Sequence, residues 1–261
     1  MQNIPNLEER YRDHGRYFQG QYRPEGIRSV EQLSKKFSFF QSISNQSYLP
    51  KSLWRYLLVA DEFKQEIQNG SILDVGNRDE STRQVLGDRC QLVDKNNPNL
   101  PVWNWEEEAL PYPDQSFDSV VCLDTLEHID RFHYAFEDVL RVAKEYVVIS
   151  LPNCWRKMFK AMLLGRGTSS SYGLPLESPM DRHRWFFNVE EIEHFLFYQS
   201  AVSTYPFDIV RFVYHLPITI PRHRIQYGLM RLMLPEHQVK NLVTGTVFVL
   251  LKKRRAEGSI S

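Results

Sequence analysis

Cysteine is scarce in this chain. Cys90, Cys122 and Cys154 are the only three in 261 residues. Their number is odd and no Cys-x-x-Cys spacing occurs, so the sequence indicates neither a disulfide framework nor a cysteine-based zinc site. Long apolar runs are missing too, and nothing approaches the ~20 residues that a membrane-spanning helix needs. Met1 to Arg12 is polar and charged, without the apolar core of a signal peptide. Net charge is absent as well: 32 basic residues balance 32 acidic ones. No long-range field therefore favours nucleic acid or an acidic membrane. The one basic run, Lys252 to Arg255, reads as a solvated tail. These absences predict a soluble protein of the cytoplasm, with no membrane span, no nucleic-acid partner and no metal. Glycine is also thin where it would matter most. No Gly-x-Gly-x-x-Gly follows any strand-like segment, which argues against a nicotinamide-dependent oxidoreductase.

What is present centres on Ser71-Ile72-Leu73-Asp74-Val75-Gly76-Asn77. A short apolar run with an internal acid, then a glycine and polar residues, is how a strand covered on both faces looks when it ends at a site. Gly76 permits a tight turn and a close approach of ligand to backbone. A helix opening near Ser81 would turn its free N–H groups toward the same crevice. Cys90 to Asp94 is a second short strand ending in an acid, and Asp94 follows Asp74 by about 20 positions, the distance between strand ends in a βαβ unit. An acid there can accept hydrogen bonds from both hydroxyls of a ribose; the alternative is a turn or capping aspartate. Ser116 to Asp124 is a turn, a strand and a third terminal acid.

The apolar positions 132, 135, 136, 139, 140 and 143 form one helical stripe. Tyr146 to Ser150 is β-branched and continuously apolar, a central strand. The alternation predicts a doubly wound α/β sheet, whose ligands sit outside the carboxyl ends of the strands. Asp74, Asp94 and Asp124 all fall there. One helix is expected over 51–68. Asn188 and Glu191 have capping-box spacing and open another. Ile209 to Tyr214 and Thr246 to Leu251 read as strands, with a helical segment at Tyr227 to Leu234 between them. Pro152 to Asp181 reads as irregular, a lid or substrate loop. Trp103 and Trp105, beside the acidic run from Glu106, either stack on a base or pack as core aromatics. Residues 1–50 read either as an N-terminal extension, packed over the site or against another subunit of a homo-oligomer, or as a partly ordered arm.

Together these motifs resemble the class I S-adenosylmethionine-dependent methyltransferases, in the branch acting on small molecules. The resemblance is strongest over Leu110-Pro111-Tyr112-Pro113-Asp114, Phe117-Asp118, and Leu126-Glu127-His128, and continues in Leu151-Pro152-Asn153 and His183-Arg184-Trp185-Phe186-Phe187. It covers residues 51–200. It implies a Rossmann-like, mostly parallel seven-stranded sheet with an N-terminal helical extension. The domain would span 51–255, with insertions at about 152–181 and 217–243. The implied cofactor is S-adenosyl-L-methionine. Asp74, Gly76 and Asn77 would form the loop under its methionine part, and Asp94 and Lys95 would hold the ribose. Trp105 and Glu106 would flank the adenine, and Leu123 and Asp124 would line the cofactor. His128 would face a small-molecule acceptor and is a candidate base for O- or N-methyl transfer, since imidazole titrates near neutrality; the alternatives are a histidine packed structurally near a helix start, or His133 or His183 in that role. One departure supports a second reading. After Gly76 stand Asn77-Arg78-Asp79-Glu80, where the family usually has further glycines. That loop fits a methyltransferase-fold binding or regulatory protein that has lost catalysis.

Overall fold

In the computed structural model the described residues are 43–44, 53–76, 81–94, 103–165, 172, 182–217 and 221–254. The helical extension expected over residues 1–50 lies outside them, apart from the two-residue strand β1, Ile43–Ser44. Six longer strands follow: β2 (Ile72–Val75), β3 (Cys90–Val93), β4 (Phe117–Leu123), β5 (Ala143–Pro152), β6 (Phe207–His215) and β7 (Thr246–Lys253). The sheet order is β1-β6-β7-β5-β4-β2-β3. Every pairing is parallel except those of β7, which runs antiparallel between β5 and β6. This is a mixed α/β, Rossmann-like sheet.

Side-chain alternation along the strands decides what lies over each face. Leu73 and Val75 of β2, and Val120 and Cys122 of β4, join one core. That core is completed by Phe136, Val139 and Leu140 of helix α4 (Phe132–Val142) and by Ile192 and Leu196 of α6 (Val189–Val202). Ile72, Val121, Leu123 and Val148 face the other way. They pack against Tyr56, Leu58 and Val59 of α1 (Trp54–Glu62) and Ile67 of α2 (Lys64–Ile67). Asp74 shares the parity of Ile72, so its carboxylate is carried to the α1 side.

The single helix expected over 51–68 is broken at Phe63, where φ is −122° and ψ 16°. Arg211 of β6 explains the break. Its guanidinium lies over the Phe63 ring at 5.5 Å and donates to the terminal carbonyl of Glu62 at 2.5 Å and to Glu66 Oε1 at 2.6 Å. An exposed-end carbonyl has thereby found a partner outside the helix.

The irregular reading of Pro152 to Asp181 is corrected in its first part. Cys154–Leu163 is a helix, α5. Asn153 precedes it and accepts the Arg156 N–H at 3.4 Å, an N-cap contact. Its amide donates to the carbonyls of Asn241 and Thr244 at 2.7 and 3.0 Å. The helix near 227–234 begins earlier, as α7 (Pro221–Met233), and a further helix, α8 (Glu236–Val243), follows it. The capping box at α6 is formed in both directions: Glu191 N–H donates to Asn188 Oδ1 at 3.0 Å, and Asn188 N–H to Glu191 Oε2 at 2.8 Å. Among the described residues no helix is long and apolar enough to cross a membrane.

Candidate active site at the carboxyl ends of the strands

Asp74 pairs in register with Leu92 of β3 and Val121 of β4 and is fully buried. A buried carboxylate needs hydrogen-bond donors to offset its lost hydration. Thr82, in the six-residue helix α3 (Ser81–Leu86), donates its hydroxyl to Asp74 Oδ2. Tyr56 of α1 bonds the same carboxylate, and burial, reinforced by that negative charge, pushes the Tyr56 phenol well above its ordinary range. Asp74 therefore ties the helices on either side of the first loop to the strand that precedes it.

Gly76 follows with φ +90°. Its N–H donates to Val93 O at 2.8 Å, which joins the ends of β2 and β3. A Cβ at this position would lie 2.3 Å from Thr125 Oγ1 and 2.5 Å from its Cγ2. Backbone conformation and space both demand glycine. Thr125 is placed by its hydroxyl, which donates toward Leu123 O at 3.0 Å and Val75 O at 3.3 Å. Gly76 at the end of β2 and Thr125 after β4 are in this way pressed against each other. Asp94, one residue past β3, is almost wholly buried beside them. Asn77 and Lys95 lie outside the described residues.

Asp124 adopts a left-handed backbone, φ +46°, directly after Leu123. Ser150, at the corresponding level of β5, holds it. Ser150 Oγ donates to Asp124 Oδ1 at 2.6 Å, and Asp124 N–H reaches Ser150 O at 3.2 Å. Arg55 of α1 closes the other carboxylate oxygen, Nε to Oδ2 at 2.5 Å. The guanidinium also lies over the Trp54 ring at 5.1 Å. Three acids at neighbouring strand ends would repel one another; the Arg55 guanidinium offsets the charge of Asp124.

Leu126–His128 makes one turn of 3-10 helix. The Glu127 carbonyl accepts the backbone N–H of Arg184 at 2.7 Å and of Trp185 at 3.4 Å. The Trp185 indole donates to Ile129 O at 2.7 Å. The segment at 182–185 is thus strapped over the turn. His128 Nδ1 lies 3.1 Å from the Arg182 carbonyl. A carbonyl only accepts, so Nδ1 is the donor in this contact. Nε2 of the same ring is 3.7 Å from Glu127 Oε1, and Glu127 is 1% exposed. His183 stands edge-on to His128 at 4.7 Å, with its Nδ1 2.7 Å from the Tyr172 hydroxyl. Burial pushes the Tyr172 phenol far up. His133, by contrast, sits among the rings of Phe132, Trp185 and Phe195.

Trp105 takes the second of its two readings. It is 1% exposed, edge-on to Trp103 at 4.3 Å, and its indole donates to Asp138 Oδ2 at 2.8 Å. The ring is core, not an open stacking face. Glu106 accepts the Asp130 N–H at 2.7 Å, which links its loop to the one carrying His128. The Leu110–Asp114 turn is a structural clasp: Arg141 of α4 donates to Leu110 O, Tyr112 O and Asp114 Oδ1, and Asp138 accepts the Leu110 N–H. Arg55, Thr82, Thr125 and Ser150 escaped the sequence reading. Each is a common residue with no spacing signal, and only the fold brings it to an acid or a glycine.

Residues 79–149 match the family model of a methyltransferase domain. No curated protein matches the chain. Among solved structures the chain is similar to an S-adenosylmethionine-dependent methyltransferase from Archaeoglobus fulgidus. Identity is 14%, with 78% of this chain and 95% of that chain covered and a TM-score of 0.47. It is also similar to one from Aquifex aeolicus, at 16% identity, 85% and 97% coverage and a TM-score of 0.40. The family match supports the class I resemblance and an S-adenosylmethionine-dependent methyltransferase, and S-adenosyl-L-methionine is the cofactor it implies.

Proposed function

We propose that the chain transfers a methyl group from S-adenosyl-L-methionine to an oxygen or nitrogen of a small-molecule acceptor. The observation that carries this reading is the convergence of Asp74–Gly76, Asp94 and Asp124 at the ends of three neighbouring parallel strands. The residues present fit the cofactor. Asp94 is an acid at the end of β3, suited to two ribose hydroxyls. Leu123 would supply an apolar wall at the end of β4. Gly76, packed on Thr125, puts no side chain over the end of β2. Glu106, Asn77 and Lys95 would complete the proposed contacts.

The cofactor supplies a methyl carbon made electrophilic by its sulfonium. The chain's part is alignment and exclusion of water, and positioning of this kind is worth up to ~7–11 kcal/mol. His128 performs the proton step. Its Nδ1–H is held by the Arg182 carbonyl, so Nε2 is the atom that takes the proton released by the acceptor. The strap at 182–185 and helix α5 flank this side, where the acceptor would enter.

Asp94→Ala tests the cofactor half. A carboxylate taking two hydroxyl donors contributes ~1.5–3 kcal/mol per bond to a charged partner, so S-adenosylhomocysteine should bind at least tenfold more weakly. Unchanged affinity in the variant would remove Asp94 from the site. A second reading, a binding protein without catalysis, is favoured by one feature: Asn77-Arg78-Asp79-Glu80 fill the loop after Gly76. Methyl turnover on any acceptor would eliminate it; tight cofactor binding with no turnover across acceptor panels would favour it.

A further inference from the structure

We propose that Glu127, His128 and His183 form a binding site for a divalent transition-metal ion. Each offers one ligand atom, and the three atoms lie within 4.8 Å of one another. The pair His128 Nε2 and Glu127 Oε1 is 3.7 Å apart. Ligands at ~2.0–2.1 Å in a tetrahedral zinc-type site stand about 3.3 Å from each other, so this pair is nearly at coordination spacing and the third ligand closes by at most about 1.5 Å.

The surroundings are those a metal site needs. Metal-ligating histidines usually anchor their second nitrogen on a carbonyl, carboxylate or hydroxyl. His128 does so on Arg182 O at 3.1 Å, and His183 on the Tyr172 hydroxyl at 2.7 Å. The backbone of Glu127 is clamped by the N–H groups of Arg184 and Trp185, which flank or follow His183 in the chain. One strap therefore fixes all three ligands. Glu127 is buried, whereas the His128 side chain retains 21% of its exposure. A buried carboxylate calls for positive charge, and a half-open imidazole leaves a coordination position facing solvent. Two imidazoles, one carboxylate and an open position select Zn²⁺, Co²⁺, Fe²⁺ or Mn²⁺ over Ca²⁺ and Mg²⁺. The expectation of no metal came from spacing along the chain; His183 reaches the other two only through the fold.

A metal here would sit beside the group that faces the acceptor. In the metal-free chain His128 takes the acceptor's proton as proposed above; with an ion bound His128 would be a ligand, and an acceptor hydroxyl at the open position would become more acidic and lose its proton to solvent. That role rests on the methyltransferase reading; the binding itself does not.

The test uses the full-length chain, stripped with chelator and titrated with Co²⁺, whose visible absorption reports coordination. One equivalent is expected to bind, and to be displaced by Zn²⁺. His128→Gln and His183→Gln, each checked for folding by circular dichroism, should weaken Co²⁺ binding by ~100-fold or more, while His133→Gln should leave it unchanged. Absence of the Co²⁺ band, or a band that survives both variants, would overturn the site; if only one variant folds, its retention of binding is sufficient to do so. S-adenosylhomocysteine calorimetry on the same preparations separates the two claims. Cofactor binding without Co²⁺ binding removes the metal alone, and Co²⁺ binding without cofactor binding removes the methyltransferase reading alone.

Discussion

Replacing Arg141 with methionine should cost this protein a large part of its stability. Arg141 Nε meets Asp138 Oδ1 at 2.7 Å, and Asp138 is 2% exposed. The other Asp138 oxygen accepts from Leu110 N at 2.6 Å and Trp105 Nε1 at 2.8 Å. Two further Arg141 donations, to Tyr112 O at 2.6 Å and Leu110 O at 2.9 Å, hold the turn before β4. The contact with Asp114 adds little, because that carboxylate is largely in water. Without Arg141, Asp138 is a buried charge deprived of its counter-ion, a loss of about 3–5 kcal/mol. That is a considerable share of the ~5–15 kcal/mol typical of a domain. Burial already raises the Asp138 carboxyl, with Arg141 the strongest opposing influence. Losing Arg141 raises it further. An acid whose folded pKa lies above its unfolded value loses stability as pH rises between the two. The deficit of Arg141→Met should accordingly be smaller in mild acid than at pH 8. Urea unfolding followed by tryptophan fluorescence at both pH values measures this, and Asp138→Asn in the same chain should restore part of the loss. A cost under about 1 kcal/mol, or strict additivity of the two substitutions, would refute the account of a buried charge pair.

Gly76→Ala should destabilise by more than the ~1–2 kcal/mol of a left-handed alanine, because its Cβ also meets Thr125; Thr125→Gly in the same chain should recover the excess, read as a shift in urea midpoint. His128→Gln should lower methyl turnover by ~10²–10⁴ while S-adenosylhomocysteine affinity, measured by calorimetry, stays unchanged. Asp118 is held below the usual carboxylate range, chiefly by the Ser71 backbone N–H and then its hydroxyl. Its contribution is complete above the ordinary aspartate pKa and fades as pH falls through the lowered value. Asp118→Asn should therefore flatten the stability curve in acid and leave its shape near neutrality intact.

The strands were legible because period and termination coincide in them. Ile72 to Val75, Cys90 to Val93 and Phe117 to Leu123 are short apolar runs that stop at an acid or glycine, and the sheet uses those stops. The helix on the sheet was legible through its stripe from Phe132 to Leu140. What sequence could not show depended on partners far along the chain. The break at Phe63 is made by Arg211, from a strand on the other side of the sheet. Helix α5 was hidden because Asn153 looked like the end of a Leu-Pro-Asn motif, whereas it also caps the helix that follows. The carboxylates showed the opposite weakness. Asp74, Asp94 and Asp124 were readable as residues, but their settings were not. Asp74 is spent on Thr82 and Tyr56, and Asp124 on Arg55 and Ser150. The Leu110–Asp114 motif carried the resemblance most strongly, and its side chains and carbonyls are engaged by Arg141 and Asp138.

The central claim is that the crevice above Gly76 accommodates an adenosyl cofactor. Isothermal titration of the unmodified chain with S-adenosylhomocysteine tests it most directly. Saturable binding of one molecule per chain is expected, weakened at least tenfold in Asp94→Ala. A folded protein that evolves no binding heat at any of several temperatures, and whose melting point does not move with the ligand, would contradict it.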